Sequence, residues 1–323
     1  MALKKVILAN LRSKKSNFVS IFILIFIISV VLTVVVSVNI RMNKHITAAC
    51  EAANIGDLVT YGEKKEISEE IIEAVKDCDE IENVINVDSF YASNLVVNGQ
   101  EYKKNDCISK YNPKLNTYKM YNSDGISLAD HEMKKPEIGE IYLPIAFKNE
   151  SNCEIGDKVN ISTAQGEYEF TITRFFEDPF IGGSLMGLKT ILISDEDFDL
   201  IYNHPIENEI VQIKIVNIYV KDEYKQDLFS IKREVNNKSG IVDAGSYTMT
   251  KDEGRNYMLI FVNIINGVIT AVAILLYIVI MIIIGNSVST NIEMDYESFG
   301  IMKALGFTSS QIRFSIIGQY LLA

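Results

Sequence analysis

Residues suited to covalent or metal chemistry are few in this chain and poorly spaced for it. No G-x-x-x-x-G-K-[ST] phosphate loop occurs, so no Walker-type cradle of backbone amides and lysine is built for a nucleotide. His45, His131 and His204 lie far apart, without neighbours at metal-ligand spacing. No G-x-S-x-G elbow presents a serine nucleophile. Gly182-Gly183, after Asp178-Pro179, reads as a loop, and Asp195-Glu196-Asp197 as the acidic first turn of a helix behind a serine cap. Cys50, Cys78, Cys107 and Cys153 permit disulfides by their even number, but wide spacing and the absence of CxxC favour separate thiols. Their pairing stays open. These residues predict no enzyme, no cofactor and no metal.

The stretch that stands out is mechanical. Glu297, Phe299, Gly300, Ile301, Lys303, Ala304, Leu305 and Gly306 belong to a short piece between a long apolar segment and a second apolar run from Phe314. Read as amphipathic and bounded by Gly300 and Gly306, it should lie flat at a membrane face, where a soluble partner can push on it. Taken alone, Lys303 is an interfacial lysine with its stem in lipid and its ammonium in water. Gly306 is a helix C-cap.

Two elements must position that piece. From Ser16 to Ile40 and from Asn256 to Ile292 the chain carries no charge. A bilayer core takes about 20 apolar residues, so transmembrane helices are predicted over 18–40 and 256–290. With 48% hydrophobic and 23% charged residues, apolar and polar parts are separated in blocks. The basic residues Lys4, Lys5, Arg12, Lys14 and Lys15 hold the N-terminus in the cytoplasm, with 1–17 as a basic amphipathic helix. The acidic excess behind the net charge of −11 sits in 41–255, which places that block outside and argues against nucleic acid. The first apolar run is too long for a signal peptide, and Arg41 and Lys44 separate it from Cys50, against a lipoprotein site. Asn263 and Asn266 share one helix face and suit interhelical hydrogen bonds, or a polar path through the membrane.

The outer block, 41–255, reads as an α+β domain of one or two lobes. Leu58 to Tyr61, Val84 to Val87, Tyr91 to Val97, Val159 to Ile161, Glu167 to Thr173, Lys189 to Ile193 and Ile210 to Val220 are predicted strands. Asn98-Gly99 is a hairpin turn, Ile155-Gly156-Asp157-Lys158 and Gln165-Gly166 are turns, and Ser68 and Ser194 cap helices. A helix is expected from Glu223 to Val235, and a polar insertion over 103–140.

The run Gly300-Ile301-Met302-Lys303-Ala304-Leu305-Gly306-Phe307-Thr308 resembles the signature of the FtsX-like permease family. The turn at 155–159, the strand from Tyr168 and the Ser194-capped helix resemble the MacB-like core domain found in that family. The resemblance spans the chain and implies the N-terminal part of a bacterial ABC transporter permease in the cell membrane. The implied plan is two complete transmembrane helices, a large α+β extracytoplasmic domain, a cytoplasmic coupling region over 291–313, and the start of a third span at 314–323. It further implies a separate ATPase subunit docking on the eight residues above, and a second permease copy or sister subunit. Transport or extraction of peptide, drug or lipoprotein would follow by mechanotransmission. Family members carry basic residues and a glutamate before the motif; Asp295, Tyr296, Glu297 and Ser298 stand here. An extracytoplasmic sensor is the competing expectation, but it calls for heptads after Ile292. A truncated, inactive permease is another, because ten residues from Phe314 do not complete a span.

Overall fold

A computed structural model describes residues 15–321, apart from 93–94, 103–105, 116, 123, 125, 130–132, 164–165, 184–187 and 204–209. Most of the expected basic helix (1–14), His131, His204, Gln165 and residues 322–323 lie outside the described residues. The chain divides into two compact units, Met42–Ile260 and Met1–Arg41 with Phe261–Ala323.

Helix α1 spans Lys15–Ala52. Its Ile- and Val-rich first part belongs to the smaller unit, which also holds most of a second long helix, Lys251–Met294, called α7 below. Both are long and apolar enough to cross a membrane, and only 11% of each most apolar window is buried. A core helix of a soluble fold would be covered; here Phe22, Phe26, Leu275 and Ile282 are exposed. Within this unit Asn39 Nδ2 donates to Asn263 Oδ1 at 3.3 Å, the interhelical bond expected of Asn263.

Both helices outrun their expected ends at 40 and 256. In the larger unit, Ile46, Ala49, Cys50 and Ala53 recur at helical spacing and are buried, so α1 becomes an ordinary amphipathic helix packed on the rest of that unit. Helix α7 starts early because Thr250 and Glu253 form a capping box. The Glu253 amide donates to Thr250 Oγ1 at 3.0 Å, and the Thr250 amide donates to Glu253 Oε2 at 2.7 Å.

The larger unit is built on one mixed sheet. Among the described residues its strands are β1 Leu58–Glu63, β2 Ile81–Ala92, β3 Leu95–Val97, β4 Gln100–Tyr102, β5 Cys107–Lys110, β6 Lys119–Met120, β7 Glu140–Pro144, β8 Lys158–Thr163, β9 Gly166–Glu177, β10 Thr190–Ile193, β11 Ile210–Val220 and β12 Tyr247–Thr250. They run in the order β12-β1-β11-β2-β5-β10-β7-β9-β8-β3-β4, with β6 on β9. Helices α2 Glu69–Lys76, α3 Ala146–Glu150, α4 Asp195–Tyr202, α5 Leu228–Ser239 and α6 Ile241–Ala244 complete the domain, with a 3₁₀ turn at Asp222–Asp227.

Local signals explain much of this. Ser68 and Ser194 accept the amides of Ile71 (3.3 Å) and Asp197 (3.0 Å), capping α2 and α4. Asn98 and Gly99, at φ 50° and 76°, close the β3–β4 hairpin. Strand β11 is buried on both faces: Ile213 and Ile215 enter one core, Val216, Ile218 and Val220 another. That accounts for apolar residues at both odd and even positions along it, with Gln212, Lys214 and Asn217 between them. On β9, Phe170 and Ile172 point into one core as their alternation predicts. A register shift follows, with Ile141 opposite Ile172 but Tyr142 opposite Arg174, leaving Thr173 as the extra residue. Beyond it Phe175 and Phe176 enter opposite cores.

Three expectations are corrected. The separate strands at 84–87 and from 91 are one strand, Ile81–Ala92, because β11 pairs along its whole length. The polar insertion over 103–140 contributes a central strand: β5 is parallel to β10 and antiparallel to β2, and Cys107 and Ile108 are fully buried. The helix expected from Glu223 begins with the 3₁₀ turn and becomes α-helical only at Leu228, behind an Asp227 cap. The four cysteines are free and buried.

Candidate functional site

The candidate piece forms two short helices, α8 Tyr296–Ala304 and α9 Ser309–Leu321. A single residue, Asp295, separates α7 from α8. Its amide donates to the Asn291 carbonyl (3.1 Å) and its carbonyl accepts the Phe299 amide (3.0 Å), so the hydrogen-bond ladder carries through the bend. Glu297 in the first turn and Lys303 in the last suit the helix dipole. The helix ends in a Schellman turn. Gly306 takes φ 89°, its amide donates to the Lys303 carbonyl (3.0 Å), and the Phe307 amide reaches back to Met302 (3.0 Å). Helix α9 opens at once with a capping box: the Gln311 amide donates to Thr308 Oγ1 (3.3 Å) and the Thr308 amide to Gln311 Oε1 (2.9 Å). The two helices are thus joined by a turn whose backbone bonds are met locally.

Seven of the eight singled-out residues fall on α8 or its cap, and Gly306 makes the turn. Gly300 does not bound the helix; it sits mid-helix, exposed, and a Cβ there would meet nothing within 4 Å. Glu297, Gly300, Ile301, Ala304 and Leu305 occupy one side of the α8 wheel, and all are exposed; Ile301 is 61% and Leu305 73% exposed. Phe299 and Met302, on the other side, are half-buried. The expectation of an amphipathic helix is therefore corrected: apolar residues stand on both sides, because one side packs inward and the other is uncovered. Tyr296 is 76% exposed, and the Thr308–Gln311 box is not among the features expected above. The Thr-x-x-Gln spacing was the available signal for the box.

Among the described residues no group of His, Cys, Asp and Glu is placed to hold a metal ion. His45 instead pairs with Glu177 at 2.6 Å in the larger unit. What α8 offers is an exposed Ile–Ala–Leu stripe edged by Glu297, on a helix held at both ends by backbone hydrogen bonds.

Residues 270–323 match the family described as FtsX-like permease C-terminal, which takes in the later part of α7 and all of α8 and α9. No curated protein matches the chain. Of solved structures, the periplasmic region of MacB from Actinobacillus actinomycetemcomitans is similar at 12% identity and a TM-score of 0.32, covering 62% of this chain and 91% of that one. A permease-protein domain from Porphyromonas gingivalis is similar at 13% identity and a TM-score of 0.29, covering 60% and 88%.

Proposed function

We propose that this chain, whose residues 270–323 are of the FtsX-like permease type, is the membrane subunit of an ABC transporter driven by a separate ATPase. The N-terminus and α8 lie in the cytoplasm and 41–255 outside. The observation that carries the reading is the position of the family match. It takes in the later part of α7 and all of α8 and α9, and with them the exposed Ile301 and Leu305 stripe, which awaits a cover. Uncovered apolar side chains on a well-capped helix are suited to a partner groove. ATP-driven movement of that groove would shift α8 and, through α7, the outer domain, so that peptide, drug or lipoprotein is moved without entering a catalytic site. A second permease copy or a sister subunit completes the complex.

The test is co-purification of the complete membrane protein with a phosphate-loop ATPase, identified by sequence and ATP turnover. Ile301→Asp and Leu305→Asp place charge on the stripe without touching Phe299 or Met302. Each is expected to reduce the ATPase retained by about tenfold or more, equivalent to ~1.4 kcal/mol. Undiminished retention in both variants, or complete protein that carries no ATPase, sinks the reading.

A further inference from the structure

The outer domain contains a cleft that the transport reading does not use. It encloses about 470 Å³ of empty space counted out to its open mouth, between the β1–β11–β2–β5 face of the sheet and the segment after β9. Counted as positions open to the centre of a water-sized sphere, it holds about 40 Å³, room for about three waters or a ligand of a few heavy atoms. Its walls include apolar Val59, Phe180 and Ile215 and polar Ser109, Thr190 and Asn217, while the rings of Tyr61 and Tyr118 and one carboxylate, Asp178, also line it.

Asp178 is the anomaly. Only 4% of the residue is exposed. One carboxylate oxygen, Oδ1, accepts the amides of Phe180 (3.0 Å) and Ile181 (3.1 Å). The other, Oδ2, is buried and has no hydrogen-bond partner among the described residues. No ion pair to Asp178 occurs among them either. A buried carboxylate oxygen without a partner is costly unless something meets it, and Asp178 is among the residues that line the cleft. Apolar side chains around a single anionic acceptor, with two aromatic rings, form the complement of a short hydrocarbon stem carrying a positive N–H donor.

We propose that this cleft binds a primary alkylammonium group, with Asp178 Oδ2 as its counter-ion and the apolar side chains covering its stem. The assignment stands apart from the transport reading, and its test does not involve an ATPase. Full-length protein in nanodiscs is titrated calorimetrically with n-propylammonium chloride, against sodium chloride and tetramethylammonium chloride at matched ionic strength. Saturable binding of propylammonium is expected, with tetramethylammonium, which has no N–H to offer, at least about tenfold weaker. Asp178→Asn keeps an acceptor for Phe180 and Ile181 but removes the charge, and should weaken binding by about tenfold or more. Val87→Phe narrows the cleft from half-buried Val87 and leaves the carboxylate in place; it should also abolish binding. Absence of saturable propylammonium binding overturns the proposal, as does equal affinity in Asp178→Asn. Should Asp178→Asn fail to fold, undiminished binding in folded Val87→Phe overturns it instead.

Discussion

The amide of Phe307 donates to the carbonyl of Met302 at 3.0 Å, across a turn in which Gly306 holds φ 89°. This bond fixes where α8 stops and where the chain leaves for α9. A residue with a Cβ pays about 1–2 kcal/mol in the left-handed region, and a β-branched one more. Gly306→Val should therefore open the turn. Hydrogen exchange of the Gly306-position and Phe307 amides is expected to accelerate by about tenfold. Gly306→Asn, which tolerates positive φ, should stay near the wild-type rate. Equal protection in the glycine and valine proteins would show that the turn is not held this way.

Lys189 is fully buried, with its ammonium 3.1 Å from Glu150 Oε2, 3.3 Å from the Tyr102 hydroxyl and over the Phe147 ring. Glu150 itself is largely covered, at 15% side-chain exposure. Removing one member of a buried pair typically costs about 3–5 kcal/mol because the other charge is stranded. Lys189→Met should destabilise the larger unit by an amount of that order in denaturant melts. The Lys189→Met/Glu150→Met double variant should regain much of the loss. Additive losses in the double variant would mean that the two charges do not depend on each other.

Burial pushes the Asp178 carboxyl above its ordinary range, against the opposing pull of the Phe180, Ile181 and Gly182 amides and of Lys189. A carboxyl whose folded pKa is raised favours folding fully below its unfolded pKa, and that contribution is lost as pH rises through the folded value. Asp178→Asn carries no such dependence. Its melting temperature should differ little from wild type near pH ~4 and gain on it progressively toward neutrality. A difference that does not change with pH would show that folding leaves this carboxyl's pKa where the unfolded chain has it.

Much of the candidate site was legible in the residues alone because its signals are local. Gly306 as a C-cap, Glu297 and Lys303 at opposite ends of a helix, and the charge-free approach to them depend on neighbours within a few positions. The same holds for the Ser68 and Ser194 caps and the Asn98-Gly99 hairpin, all of which the structure reproduces. The stripe of Ile301, Ala304 and Leu305 was not legible as a surface. Phe299 and Met302 are equally apolar, and only packing decides which side of α8 is covered.

The sequence by itself determined the two long apolar helices, the caps and turns, and the alternation of Phe170 and Ile172, since each follows from hydrophobic period or backbone preference over a short span. The tertiary structure alone decided that Cys107–Lys110, four residues in a polar stretch, would be a central strand. Its pairing with Thr190–Ile193 is parallel and distant in the chain, and no local signal encodes such a contact. It likewise decided that α1 would run on to Ala52, because Ile46 and Cys50 become core residues only once the sheet is there to cover them. The unmatched Oδ2 of Asp178 belongs to the same class: an aspartate before a proline reads as a loop residue until the fold closes around it.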